Sequence, residues 1–150
     1  MKNIGNKKQK GFALIEVGVA LVVIGLATIL AWPKIAPYLN FNKSATIEAH
    51  IDSIFQGTAN YITNNGSCTG ISLAVLGAQG YIAPKLAAGT ELNSWGGGFT
   101  VACNANITQA TITSTGIADT TVGAKLAQMY ARRAVSAAFA SGTITVVVQG

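Results

Sequence analysis

Charge is scarce in this sequence. Five of its 150 residues are acidic, ten are lysine or arginine, and there is one histidine. The acids Glu16, Glu48, Asp52, Glu91 and Asp119 are spread along the chain, and His50 has no second ligand or nucleophile at useful spacing. A triad, a carboxylate dyad or a metal cluster needs several such groups together. The pattern therefore gives no catalytic or metal-ligating residue, calls for no cofactor, and leaves His50 as a solvated or helix-surface residue. The glycine run Gly96–Gly98 is not followed by Lys-Ser/Thr, which removes the phosphate-cradling loop. No internal repeat or low-complexity tract is present. Two cysteines, Cys68 and Cys103, allow at most one disulfide.

What charge there is sits unevenly. Lys2, Lys7, Lys8 and Lys10 crowd the first ten residues, where no acid occurs. Residues 11–150 carry six basic and five acidic groups, close to neutral. The basic isoelectric point belongs to the N-terminal segment, so no nucleic-acid interface is expected on the body. Lysines before an apolar run stay cytoplasmic, which exports the C-terminal part. In an exported domain the single cysteine pair is expected to form a disulfide, the alternative being two buried free thiols. Closing that loop is worth about 4 kcal/mol in the chain-entropy account.

The apolar run, Phe12–Trp32, is 21 residues long and contains one charge, Glu16, and one other polar side chain, Thr28. As a helix it spans about 30 Å, one hydrocarbon thickness. It exceeds the ~7–15 residues of a signal-peptide core, and Trp32-Pro33-Lys34 is no small-residue cleavage site. A plain membrane anchor accounts for the length but not for a carboxylate in lipid, which is expensive and marks function. Gly18 and Gly25, seven apart, lie near one helix face; they either admit a neighbouring helix closely or face lipid. Pro33 and Pro37 are expected to bend or locally open the helix.

Lys10-Gly11-Phe12-Ala13-Leu14-Ile15-Glu16-Val17 resembles the processing site of type IV pilins and of the type II secretion pseudopilins. The resemblance implies cleavage between Gly11 and Phe12 by a prepilin peptidase/N-methyltransferase, and N-methylation of Phe12. It implies that Glu16, one helical turn away, pairs with the new α-amine of a neighbouring subunit during assembly. A favourable charge near a helix N-terminus, worth about 0.3–1 kcal/mol, is the plainer and compatible reading of Glu16. The implied organisation is a leader at 1–11, an apolar transmembrane and filament-core half-helix at 12–37, and an exported head at 38–150.

Within the head, Ile47, Ile51, Ile54, Phe55 and Ile62 fall at helical spacing, giving an amphipathic second half of one long helix that ends near Asn64. A short helix near Ile71–Leu76 and turns at Pro84 and Gly89 follow. Phe99–Cys103 and Ile107–Ser114 read as a hairpin, Asp119 as an N-cap, and Val122, Leu126, Met129 and Tyr130 as a helix face. Arg133 falls in that apolar arc, so the helix ends there or the arginine snorkels. Thr143–Val148 reads as a final strand. The fold class is α+β, a long N-terminal helix on a C-terminal antiparallel sheet, as in pilin heads.

Asn93-Ser94-Trp95-Gly96-Gly97 also resembles the type IVb subgroup, in particular the pilins of conjugative thin pili; a plain strand-entry turn is the alternative. The 11-residue leader and Phe12 are closer to type IVa habit, and the C-terminal 47 residues hold no cysteine. The implied function is a structural subunit of a type IV pilus, a homopolymer. It would be held in the inner membrane before assembly, handled there by the pilus assembly machinery, and extracellular afterwards, serving attachment and mating-pair stabilisation. The alternatives are a minor pilin or pseudopilin and, less favoured, a membrane-anchored enzyme.

Overall fold

The computed structural model describes the backbone of residues 9–150 and the side-chain placement of 15–34 and 42–150. The leader lysines, Gly11, Phe12 and Pro37 lie outside the described side chains. The chain divides into two compact units, Met1–Phe41 and Asn42–Gly150. Eight elements follow in order: α1 (Gln9–Asn65), α2 (Leu73–Ala78), α3 (Pro84–Ala87), β1 (Phe99–Cys103), β2 (Gln109–Ser114), α4 (Thr120–Tyr130), β3 (Ser136–Ala140) and β4 (Thr143–Gln149). The class is α+β.

In the first unit neither proline ends α1. In the second unit the apolar stripe of α1 is buried: Ile47, Ile51 and Ile54 are fully enclosed, and Phe55, Tyr61 and Ile62 nearly so. Such a stripe at three- and four-residue spacing stabilises a helix through tertiary burial, about 1.5–3 kcal/mol for each large side chain. Beyond Asn65, Gly66 takes a positive φ of 69°, a backbone shape glycine adopts without strain.

The four strands are antiparallel in the order β1-β2-β4-β3. Register carries Val101, Ile112, Val146 and Ala137 across one row. Burial alternates along β2 and β4, so Ala110, Ile112, Ile144, Val146 and Val148 join the helix residues in one core. The opposite face is threonine-rich, with Thr100, Thr113 and Thr145 directly paired. This alternation suits a sheet with one solvated side.

Asp119 caps α4 by accepting from the Thr121 and Val122 amides at 3.0 and 3.1 Å. Gly123 faces the Phe139 ring so closely that a Cβ would overlap it, which lets β3 lie against the helix. The helix stops at Tyr130, and Arg133 snorkels from the turn after it across the rings of Phe55 and Tyr130 to Asp52. The buried Tyr130 hydroxyl donates to Asp52 Oδ1 at 2.7 Å and lies 3.2 Å from the Glu48 carbonyl oxygen. Burial, followed by the hydrogen bond and charge of Asp52, holds that hydroxyl well above the ordinary tyrosine range.

Two elements depart from the sequence reading. Ser136–Ala140, an alanine-rich stretch with no strand signal, forms β3. It pairs with β4 through Ser141-Gly142, whose φ values of 50° and 74° make the mirror-image turn that hairpins favour. The pairing overrides alanine's helix preference. Second, Pro84 opens a short helix, α3, with its ring at the first turn where no amide partner is missed.

Cys68 and Cys103 are joined, with Cα atoms 5.2 Å apart across 35 positions of sequence. The bond ties the segment after α1 to the end of β1. Replacing Cys68 by serine is expected to lower stability by about 2–5 kcal/mol. A reductant should lower the melting temperature of the parent and leave the variant unmoved; equal oxidised melting temperatures would contradict this. Tyr130→Phe should cost about 1–2 kcal/mol by leaving Asp52 short of a donor. Because the folded hydroxyl titrates above its unfolded value of about 10, its contribution is complete below that pH and lost as pH rises further. The variant should therefore show a shallower alkaline loss of stability; an unchanged alkaline limb would refute it.

Candidate functional site

The first unit offers an uncovered apolar surface. Along Ile15–Lys34, a 20-residue segment long and apolar enough to cross a membrane, none of the span is buried. Ile15, Val19, Val22, Ile29, Leu30 and Trp32 each keep more than half of their surface exposed. Burial among the described residues does not account for their apolar character, which suits an external apolar phase or other helices. Thr28 is compatible with that phase because its hydroxyl donates to the Ile24 carbonyl at 2.8 Å, leaving no bare polar hydrogen. Trp32 and Lys34 stand at the head-side end, where an amphipathic ring and a snorkelling amine suit a membrane interface.

Glu16 lies near the other end of this surface and is exposed. Among the described residues its carboxylate meets no cation. Gly18 and Gly25 have open space where a Cβ would stand, so nothing among the described residues requires glycine there. The second site-like feature is the loop before β1, and it is built around Asn93, which is 4% exposed. Its amide nitrogen donates to Ser114 Oγ at 3.0 Å and to the Thr115 carbonyl at 2.6 Å. Its amide oxygen accepts from the Trp95 and Gly97 backbone amides at 2.9 and 3.0 Å. Gly97 presses against the Thr115 carbonyl, where any Cβ would collide. Trp95 packs on the core, and Lys43 of α1 lies over its ring at 5.8 Å.

The Asn-x-Trp-Gly-Gly stretch is therefore a lock between α1, β1 and the end of β2. Reading it as a turn identified the glycines and Trp95 but missed Asn93, the residue that satisfies four partners at once. A buried asparagine between two turn signals was the available clue. His50 also differs from expectation. It is half-buried, edge-on to Phe99 at 5.6 Å, with Nε2 3.4 Å from Glu91 Oε1. The α1 stripe turns it inward rather than into solvent. Among the described residues, no three His, Cys, Asp or Glu side chains converge as metal ligands.

A family model described as a prokaryotic N-terminal methylation motif matches residues 6–32. The match covers Lys7, Lys8, Lys10, Gly11, Phe12, Glu16 and the apolar run, and it supports a type IV pilin-like prepilin. Pilin-type proteins of this kind are structural rather than enzymatic, and the apolar helix fits membrane anchoring before assembly. No curated protein and no solved structure matches the chain. Residues 33–150, which include the expected head at 38–150, lie beyond the matched motif.

Asn93→Ala is expected to cost about 2–4 kcal/mol, since it strands two backbone amides and the Ser114 hydroxyl in a buried site. Denaturant unfolding of the oxidised chain in detergent measures it. A loss below about 0.5 kcal/mol, the scale of an ordinary surface change, would show that the loop holds without its hub.

Proposed function

We propose that the chain is a structural subunit of a type IV pilus, made as a membrane-anchored precursor and polymerised after cleavage between Gly11 and Phe12. The observation that carries this is the combination of the methylation motif with a fully exposed apolar helix bearing one carboxylate. Cleavage creates an α-amine at Phe12, which is then N-methylated. Glu16 follows four residues later, one helical turn on. The carboxylate of one subunit receives the amine of its neighbour, which removes two isolated charges from hydrocarbon and sets the axial step between subunits. The uncovered apolar surface exchanges lipid for other copies of the same helix, with Gly18 and Gly25 admitting close approach.

In this reading the head crosses the inner membrane as the lysines hold the leader on the cytoplasmic side. Oxidation of Cys68 and Cys103 follows export, and the finished filament is extracellular. The partners are the prepilin peptidase/N-methyltransferase, the assembly machinery and other copies of the chain. The resemblance of the Asn93–Gly97 sequence favours a type IVb-like subgroup, with surface attachment and stabilisation of mating pairs as the filament's work. The motif is equally at home in a minor pilin or a pseudopilin, which would be incorporated sparsely rather than as the bulk subunit.

Glu16→Ala tests the assembly role. Leader removal, read as the mass difference at the membrane, should continue, because Gly11 and Phe12 are untouched. Filament yield should fall by about 10- to 100-fold, the scale set by losing one pair of lipid-buried opposite charges. Normal yield from this variant would contradict the pairing.

A further inference from the structure

The few charges of the head can be followed one by one, and the remainder is ordered. Asp119 is used as the α4 cap. Glu91 faces His50, and Lys43 lies over Trp95. Arg133 is spent on Asp52, but only on one oxygen: both Arg133 and Tyr130 address Oδ1. Among the described residues, Asp52 Oδ2 and the Glu48 carboxylate make no hydrogen bond or ion pair, and neither do Lys125 and Arg132. Lys85 stands apart on α3.

These leftovers fall into two patches of opposite sign. On α1, Ala45, Glu48, Ala49 and Asp52 line one shallow groove. Their spacing of three, four and seven places them along one helix face, opposite the buried Ile47 and Ile51. The alanines make the floor low, so another helix can approach. On α4 and the turn that follows it, Lys125, Gln128, Met129 and Arg132 line a second surface, with the two cations seven positions apart. The groove offers carboxylates beside small apolar side chains. The ridge offers cations around a thioether that fills irregular apolar gaps.

We propose that the α4 ridge of one head docks in the α1 groove of a neighbouring copy, Lys125 toward Glu48 and Arg132 toward the free oxygen of Asp52. In a chain this poor in charge, the groove leaves Glu48 unpaired and Asp52 with one oxygen open, while the ridge leaves Lys125 and Arg132 unpaired among the described residues. Opposite patches select a partner, fix register and raise the rate of encounter. Because ridge and groove are different surfaces, a pair of copies leaves one of each open, so the contact can be repeated from copy to copy, as a filament requires. The inference deepens the filament reading and rests on it. It adds a head-to-head contact, outside the membrane, to the helix contacts made through Glu16.

The test uses charge reversal in the full chain, in cells that carry out processing. Asp52 is left alone because Arg133 and Tyr130 depend on it. Glu48→Lys and Lys125→Glu should each reduce sheared filament by about tenfold, and the double variant Glu48→Lys/Lys125→Glu should restore most of it. Carbodiimide treatment of parent filaments should give a Glu48–Lys125 cross-linked peptide between copies. Single variants that polymerise like the parent, or a double variant no better than either single one, would overturn the contact. A cross-link found only in a closed dimer would overturn its extending geometry. A parent chain that is processed but never forms filaments would instead overturn the subunit reading, and this contact with it.

Discussion

A carboxylate on an otherwise apolar helix is the constraint on which the rest of this molecule depends. Among the described residues, the side chains of the helix from Ile15 to Lys34 remain exposed along its length. Lipid can cover such a surface but cannot satisfy Glu16, because moving an unpaired carboxylate into hydrocarbon costs several kcal/mol. A cation must come from elsewhere. In the proposed filament, a freshly made amine on a second copy would supply it without placing a basic side chain in the apolar segment. Polymerisation would then satisfy both requirements, with other helices covering the surface and another subunit's terminus meeting the charge.

The second unit meets a different requirement, that of staying folded with a small core. Three ties connect its parts at separate points. The Cys68–Cys103 bond joins the segment after α1 to β1. Asn93 joins the loop before β1 to the end of β2. Tyr130 and Arg133 join the end of α4 to Asp52 on α1. Each tie reaches across elements distant in sequence, so each opposes the separation of a different pair of layers. The solvent side of the sheet carries threonines in register, which maintain strand packing without adding charge.

Much of this was legible in the sequence where one physical signal had no competitor. The 21-residue apolar run, the stripe from Ile47 to Ile62, the Asp119 cap and the β-branched strand at Thr143–Val148 each state their structure through spacing or composition. The cysteine pairing was expected once export was inferred, with two free thiols as the alternative, and the structure joins Cys68 to Cys103. What was not legible depended on partners. Nothing in Ser136–Ala140 asks for a strand until β4 is present to pair with it. Arg133 could not be placed from its helical phase alone, because its position is decided by Asp52 on another element. His50 looked like a surface residue because Phe99 and Glu91, which enclose it, lie some forty to fifty positions away. Asn93 hid between turn residues although it is the centre of the loop.

The measurement that tests the central claim most directly is the N-terminal sequence and intact mass of the protein in sheared extracellular filaments. The account predicts a chain that begins at N-methylated Phe12, with Cys68 and Cys103 oxidised, as the bulk protein of the filament. A chain retaining Met1, or one beginning near Lys34, would contradict it, because the amine that Glu16 requires would then not exist at Phe12.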